Sequence, residues 1–169
     1  CTGIASLALV LRVTGDVILS QFGAVTGSIT DSTASILVAV AYAEANKSRL
    51  HIDGDFKITS QITFTSGIVF GNGKTTSGFL KDGTFDGIRF LGENGIYRDF
   101  YCKGDAGNTG HGFHAVNGEL SKRQNCDNLF AADHGSDGFH FGSCNLAILN
   151  ALLSISNGNN GLTIGGGDA

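Results

Sequence analysis

Two sets of polar residues recur around a repeated glycine in the second half of the sequence. Asp86, His111, Asp137 and Asn160 each stand immediately before a glycine, and Arg89, His114, His140 and Thr163 each stand two residues after it. Carboxylates, imidazoles and a guanidinium grouped on one edge are suited to binding sugar hydroxyls or acidic glycans. A pair of carboxylates such as Asp86 and Asp137 can hydrolyse a glycosidic bond, one acting as general acid and the other as base or nucleophile. A His or Arg beside an acidic sugar can instead support proton abstraction in a lyase. Asp86 and Asp137 are therefore the candidate catalytic residues, and Arg89, His111, His114 and His140 the candidate substrate-binding residues. The competing reading is a solvated polar ladder in which Asp and Asn only shape turns.

The elements that must position these residues follow from the same repeat. Gly87-Ile88-Arg89-Phe90, Gly112-Phe113-His114-Ala115, Gly138-Phe139-His140-Phe141 and Gly161-Leu162-Thr163-Ile164 share the order glycine, apolar, polar, apolar, at separations of 25, 26 and 23 residues. One short strand per repeat of this length predicts a solenoid. Ile88, Phe113, Phe139 and Leu162 would form one buried column, with Phe90, Ala115, Phe141 and Ile164 forming the next. The Leu-x-x-Leu-x-Leu ladder of a leucine-rich horseshoe is missing, so the repeat fits a three-sided, right-handed parallel β-helix, an all-β fold. At the usual strand spacing of about 4.8 Å, Asp86 and Asp137 would lie two coils apart, roughly 10 Å. That is loose for a retaining carboxylate pair and near the upper limit for an inverting one.

Upstream, Asp16–Val25 reads as a strand followed by a turn. Asp31 is suited to cap a helix over 32–46, because its carboxylate can accept unpaired backbone N–H groups. Ile36, Val40 and Ala43, flanked by Leu37 and Ala41, form its apolar stripe, and Asn46 and Lys47 stop it. Leu50-His51-Ile52, a turn at Asp53-Gly54, Phe56-Lys57-Ile58, Ile62-Thr63-Phe64, Ile68-Val69-Phe70 and Gly78-Phe79-Leu80 alternate as short strands. The expected organisation is a lead-in at 1–15, an N-terminal cap with the first coils at 16–80, and further coils at 81–169. The helix closes the N-terminal end, where bare strand edges would otherwise meet water and other chains. No comparable cap is visible before Ala169, so that end is expected to be covered by further sequence or a partner, or else to remain an exposed edge.

Other motifs carry less. Gly71-Asn72-Gly73-Lys74-Thr75 superficially suggests a phosphate loop, but Ile68 stands where the first glycine must be, and a β-helix corner with Gly in positive φ is the better reading. Asp133-His134-Gly135-Ser136-Asp137 lies in one turn, which does not build a Ser-His-Asp triad. His111 and His114, three apart in an extended stretch, should face opposite ways, so neither a metal site nor a cofactor is expected. Cys1, Cys102, Cys126 and Cys144 form no CxxC pair and read as thiols, with Cys102 and Cys126 stacked as buried neighbours.

Composition narrows the class. Of 169 residues, 26 are Gly and none is Pro, Met or Trp; 41% are hydrophobic, 15% are charged, and the net charge is −4. Disorder and collagen are excluded by the first four figures. A weakly acidic chain without a basic patch predicts no nucleic-acid partner, and no apolar run approaches the ~20 residues of a membrane span. Cys1 at the start and Gly165–Ala169 at the end suggest a piece of a longer protein, with a lipoprotein cysteine as the other reading of Cys1.

Three stretches carry a family resemblance. Asp16-Val17-Ile18-Leu19-Ser20-Gln21-Phe22-Gly23-Ala24-Val25 followed by Thr30-Asp31-Ser32-Thr33-Ala34-Ser35-Ile36 resembles the "DFGA-x-GDG-x-TDDT-x-A" opening of pectate-lyase-like β-helix proteins. Leu50–Ile58 resembles the family's "V-x-x-P-x-G-x-Y-x-I" hairpin, and Gly67–Thr75 its "G-V-x-L-x-G-x-G" coil. Thr26-Gly27-Ser28 replaces the Gly-Asp-Gly turn, Ser32 the second Asp, and Asp53 the usual Pro; these positions belong to folding and the capping turn. The opening is most like that of bacteriophage tailspikes. The resemblance implies a homotrimer on the virion tail, mounted through a region N-terminal to this segment, that recognises bacterial surface polysaccharide and in the whole protein depolymerises it. A free-standing polysaccharide lyase or glycoside hydrolase, and a non-catalytic structural or adhesion β-helix, are the alternatives, since the fold alone does not fix function.

Overall fold

The structure, a computed structural model, describes residues 15–91, 94–105, 107–115, 124–142 and 147–165. The expected lead-in at 1–15, Cys1 and Cys144 lie outside these residues, apart from Gly15. The chain winds in coils of three short strands. The first coil has β1 (Val17–Ile18) and β2 (Gly27–Asp31), then α1 (Thr33–Asn46). The next two are β3 (Leu50–Ile52), β4 (Asp55–Ile58), β5 (Ile62–Phe64) and β6 (Ile68–Gly71), β7 (Gly78–Lys81), β8 (Ile88–Phe90). Three more follow: β9 (Ile96–Arg98), β10 (Tyr101–Lys103), β11 (Phe113–Ala115); β12 (Asn125–Asp127), β13 (Phe130–Ala132), β14 (Phe139–Phe141); and β15 (Ile148–Asn150), β16 (Leu153–Ile155), β17 (Leu162–Ile164).

Each strand pairs in parallel with its counterpart one coil away, giving three sheets ordered β1-β3-β6-β9-β12-β15, β2-β4-β7-β10-β13-β16 and β5-β8-β11-β14-β17. The fold is the expected all-β right-handed parallel β-helix with an N-terminal helix. The helix takes the place of the first coil's third strand and packs on β1, β3 and β5. Its buried face is Thr33, Ile36, Ala39, Val40 and Ala43. Leu37 and Ala41, expected beside the stripe, are exposed: each lies about 100° around the helix from the docked residue before it, and a narrow coil end covers only one side. Asp31 performs the expected cap chemistry, accepting the Thr33 N–H at 2.9 Å and the Thr33 and Thr59 hydroxyls at 2.6 and 2.8 Å. The residue entering the helix is Ser32, whose hydroxyl instead bridges the Val25 N–H and C=O.

Within Asp16–Val25, expected as a strand followed by a turn, the strand is Val17–Ile18. Leu19–Phe22 form a 3-10 turn closed by Gly23 at φ 85°, which drives Leu19 into the core. The inward columns are in register: Ile62 with Ile88, Ile88 with Phe113, Phe113 with Phe139, and Phe139 with Leu162. The second column runs Phe64, Phe90, Ala115, Phe141 and Ile164 along the same sheet, and both columns are sealed as far as Phe139 and Phe141. Leu162 and Ile164, on the last described coil, are about half exposed, at 45% and 52%. Phe113 lies between the rings of Phe90 at 5.8 Å and Phe139 at 5.0 Å.

The repeated glycine is required by packing between coils. A Cβ on Gly87 would lie 2.8 Å from the Gly112 carbonyl oxygen, one on Gly112 2.7 Å from that of Gly138, and one on Gly138 3.0 Å from that of Gly161. At the Gly71–Thr75 corner, Gly73 has the positive φ expected of such a turn, 143°. Cys102 and Cys126 are buried free thiols, but they do not stack. Cys102 lies on β10 between Phe79 and Ala131, and Cys126 on β12 between Tyr97 and Leu149, in different sheets. Cys102 and Cys126 stand 15 and 14 residues after their repeat glycines, but unequal corner lengths between coils carry these nearly matching offsets onto different sides.

Candidate functional site

The middle residue of each three-residue strand in the β5-β8-β11-β14-β17 sheet points away from the core, because side chains alternate along a strand. Register aligns them as Thr63, Arg89, His114, His140 and Thr163. The residues before the repeat glycines lie in the turns leading into these strands and are connected from coil to coil. Asp86 Oδ1 accepts the backbone N–H of His111 at 2.9 Å, His111 Nδ1 accepts that of Asp137 at 3.2 Å, and Asp137 Oδ1 accepts that of Asn160 at 3.0 Å. Each side chain thus pairs an N–H of the next coil that the strand ladder does not reach. Asp86, His111 and Asp137 share an acceptor atom at the right reach, which explains why Asp and His alternate at this position.

The two columns meet along one edge. His140 Nδ1 donates to Asp137 Oδ2 at 2.8 Å, and Asn160 Nδ2 donates to Thr163 Oγ1 at 3.1 Å. His114 Nδ1 is 2.7 Å from Asp86 Oδ2, a close contact without hydrogen-bond alignment. The structure therefore brings together five of the six residues expected at the site: Asp86, His111, His114, Asp137 and His140. Arg89 stands next to His114 in the outward column.

His111 and His114 do not face opposite ways. Their ring centroids are 5.2 Å apart, because His111 belongs to the turn before β11, where strand alternation does not apply. The His111 ring also stacks on His140 at 4.3 Å, and His114 meets His140 edge-on at 5.5 Å. His111, Asp137 and His140 offer three potential ligand atoms within 4.8 Å of one another.

Burial works to raise the pKa of Asp86, but the His114 contact, the His111 N–H and the charges of both imidazoles outweigh it and hold the group at about 2. Asp137 is also lowered: its burial is outweighed by His140, the Asn160 N–H, Thr163 and His111. Both carboxylates are ionised at neutral pH and have no proton to give. What they can do is accept hydrogen bonds, hold a cation or take a proton. His111 is pushed down, first by burial and then by the neighbouring imidazoles, against the pull of Asp86 and Asp137. It is a neutral acceptor, in keeping with the N–H its Nδ1 receives.

His134 has a role that the sequence did not reveal. It points inward, 2% exposed, with Nε2 donating to the Cys102 carbonyl at 2.9 Å and Nδ1 buried without a partner. Burial pushes its pKa down to about 4. The Asp133–Asp137 turn is thus part of the packing, with His134 turned into the coil and Asp137 turned to the edge. Lys81 is similarly enclosed, 1% exposed, donating to the Thr109 carbonyl at 2.7 Å, and its pKa is lowered by burial.

No protein-family model matches the sequence, and no curated protein sequence is significantly similar to it. Among solved structures, the chain is similar to the Agl-KA catalytic domain, with a TM-score of 0.65 and 15% identity over 95% of this chain and 36% of that one. It is similar to the A-module of the mannuronan C-5 epimerase AlgE4 of Azotobacter vinelandii, with TM-score 0.58 and 14% identity over 87% of this chain and 53% of that one. It is also similar to the catalytic unit of the GH87 alpha-1,3-glucanase of Streptomyces thermodiastaticus strain HF3-3, with TM-score 0.57 and 16% identity over 93% of this chain and 34% of that one. The chain spans between a third and a little over half of these proteins. At such identities the likeness is one of fold.

Proposed function

We propose that this chain is a segment of a polysaccharide-recognising β-helix protein and that the edge bearing Asp86, Arg89, His111, His114, Asp137 and His140 meets the glycan. The observation that carries this reading is the in-register column of Arg89, His114 and His140 on the outer face of one sheet, with the ionised Asp86 and Asp137 in the turns beside it. Carboxylate oxygens accept from sugar hydroxyls, imidazoles both donate and accept, and the strand spacing presents them at regular intervals along the solenoid. Two of the similar folds, by their names an alpha-1,3-glucanase and a mannuronan C-5 epimerase, act on polysaccharides, which supports the substrate class. Neither carboxylate carries a proton at neutral pH, so neither can serve as a general acid there.

The narrower reading is the N-terminal part of a bacteriophage tailspike. It places the protein on the virion tail as a homotrimer attached through a region preceding this segment, with depolymerisation of bacterial surface polysaccharide as the activity of the whole protein. It rests on the resemblance of residues 16–80.

The test is a panel of bacterial capsular and O-antigen polysaccharides, incubated with this chain and with the longer protein. Binding is measured directly, and cleavage is followed by reducing ends and by the absorbance of new unsaturated uronates. Saturable binding by the chain that weakens at least tenfold in His114→Ala and Arg89→Ala supports the edge. Cleavage by the chain itself points to a free-standing enzyme, and cleavage by the longer protein alone makes this segment scaffold and mount. Binding indifferent to both substitutions, or absent across the panel, overturns the assignment.

A further inference from the structure

Independently of any glycan, we propose that His111, Asp137 and His140 form a site for one divalent first-row transition cation, of the zinc, cobalt or nickel type. The three ligand atoms come from adjacent coils and lie within 4.8 Å of one another. His111 Nδ1 and His140 Nδ1 approach the same oxygen, Asp137 Oδ2, at 3.6 and 2.8 Å. The Asp137 side chain is 6% exposed, so this charge is withdrawn from water and directed at the two rings.

The donors on the His111 side are mismatched. His111 Nδ1 accepts the Asp137 backbone N–H, so it is the unprotonated nitrogen of its ring. A lone pair and a carboxylate oxygen therefore sit 3.6 Å apart with no proton between them. A cation at this point would be attracted by both. The frame is fixed by the ladder bonds from the Gly112 N–H to the Asp137 carbonyl at 3.1 Å and from the Phe113 N–H to the Gly138 carbonyl at 2.9 Å. Rigid elements of this kind hold ligands better than loops do.

Two imidazole nitrogens and one carboxylate select the class. Imidazole ligands suit zinc, copper, iron and nickel, and Co2+ serves as a coloured stand-in for zinc. Calcium requires about six to eight oxygens, and this trio offers a single carboxylate. The His140 side chain is 32% exposed, so the ion has a route in from solvent and open positions for water or an anionic ligand. Binding at His140 Nδ1 requires the tautomer with its proton on Nε2, and so replaces the Nδ1–H hydrogen bond to Asp137 together with one long hydrogen bond at His111.

The test uses the tag-free chain, cleared with a chelator and titrated with Co2+ and Zn2+. The expected result is one ion per chain by calorimetry, with a visible Co2+ ligand-field band that Zn2+ abolishes and equimolar Ca2+ does not. His140→Asn should weaken affinity at least tenfold, while His51→Asn, on a distant coil, should leave it unchanged. His111→Gln should also weaken binding, but it removes the acceptor for a backbone N–H and can loosen the coil. His140 accepts no backbone N–H, so its variant carries the test, with the far-ultraviolet circular dichroism of both proteins compared in chelator. Absence of binding, binding that survives His140→Asn, or displacement by Ca2+ overturns the proposal.

Discussion

His134 sets a measurable acid limit on the fold. In the native state its Nε2–H is paired with the Cys102 carbonyl, while Nδ1 is enclosed with no acceptor nearby. Protonation would place a charge and an unpaired N–H there, which is why the pKa falls from 6.5 to about 4. In the unfolded chain the ring titrates normally. Between these values the unfolded state binds more protons than the folded one, so stability decreases as pH falls. At ~1.4 kcal/mol per pH unit, the loss from this group is negligible at pH 7, about 1 kcal/mol at pH 5.5 and about 3 kcal/mol at pH 4. His134→Gln retains an N–H donor for Cys102 and does not titrate. Urea unfolding of both proteins at pH 7, 5.5 and 4 isolates the effect, because His111 and the carboxylates titrate identically in each. The variant should be less stable than the parent at pH 7 through imperfect packing, and the gap should close by about 3 kcal/mol on reaching pH 4. Parallel profiles, with the gap constant to within ~0.5 kcal/mol, would refute the assignment of His134 as a buried neutral ring.

Three further substitutions probe other parts of the structure. Phe113→Ala removes a sealed ring stacked between Phe90 and Phe139 and should cost about 3–5 kcal/mol in chemical denaturation; a loss below ~1 kcal/mol would mean the column is not packed as described. Gly112→Ala places a Cβ 2.5 Å from His134 Nε2 and 2.7 Å from the Gly138 carbonyl. It should lower stability by about 1–3 kcal/mol through overpacking, whereas Gly107→Ala, with open space around it, is affected only through its positive φ. Asp31→Ala deprives the Thr33 N–H and two hydroxyls of their acceptor, and thermal melts should show a loss of about 0.5–2 kcal/mol; an unchanged melting point would show that α1 does not depend on this cap.

The fold was legible because the strand repeat is strict. Gly-apolar-polar-apolar at nearly constant spacing fixes which side chains face in, and register then follows from stacking like on like. The co-location of Asp86 with His114 and of Asp137 with His140 followed from that alone. The misplaced residues all depend on something the repeat does not encode. Leu37 faces water because the coil end covers one side of the helix. Cys102 and Cys126 fall on different sheets because corner lengths vary between coils. His111 turns toward His114 because it precedes the strand, where alternation by two does not hold. His134 has no periodic partner, and its burial is decided by the close approach of Gly104 and Gly112.

Asp86, His111 and Asp137 belong to the scaffold as well as to the candidate site. Each accepts a backbone N–H from the next coil, and leaving such a group unpaired in a buried turn costs about 1–3 kcal/mol. Loss of activity in Asp86→Ala or Asp137→Ala would therefore not distinguish chemistry from a loosened coil. Arg89, His114 and His140 occupy the outward strand positions, where the ladder is made by backbone alone, so their side chains can be removed without taking an acceptor from the solenoid. Function at this edge is separable from folding only through them. If truncating these three left glycan binding intact while Asp137→Ala abolished it, the geometry of the coil, not the chemistry of its edge, would be what the ligand senses.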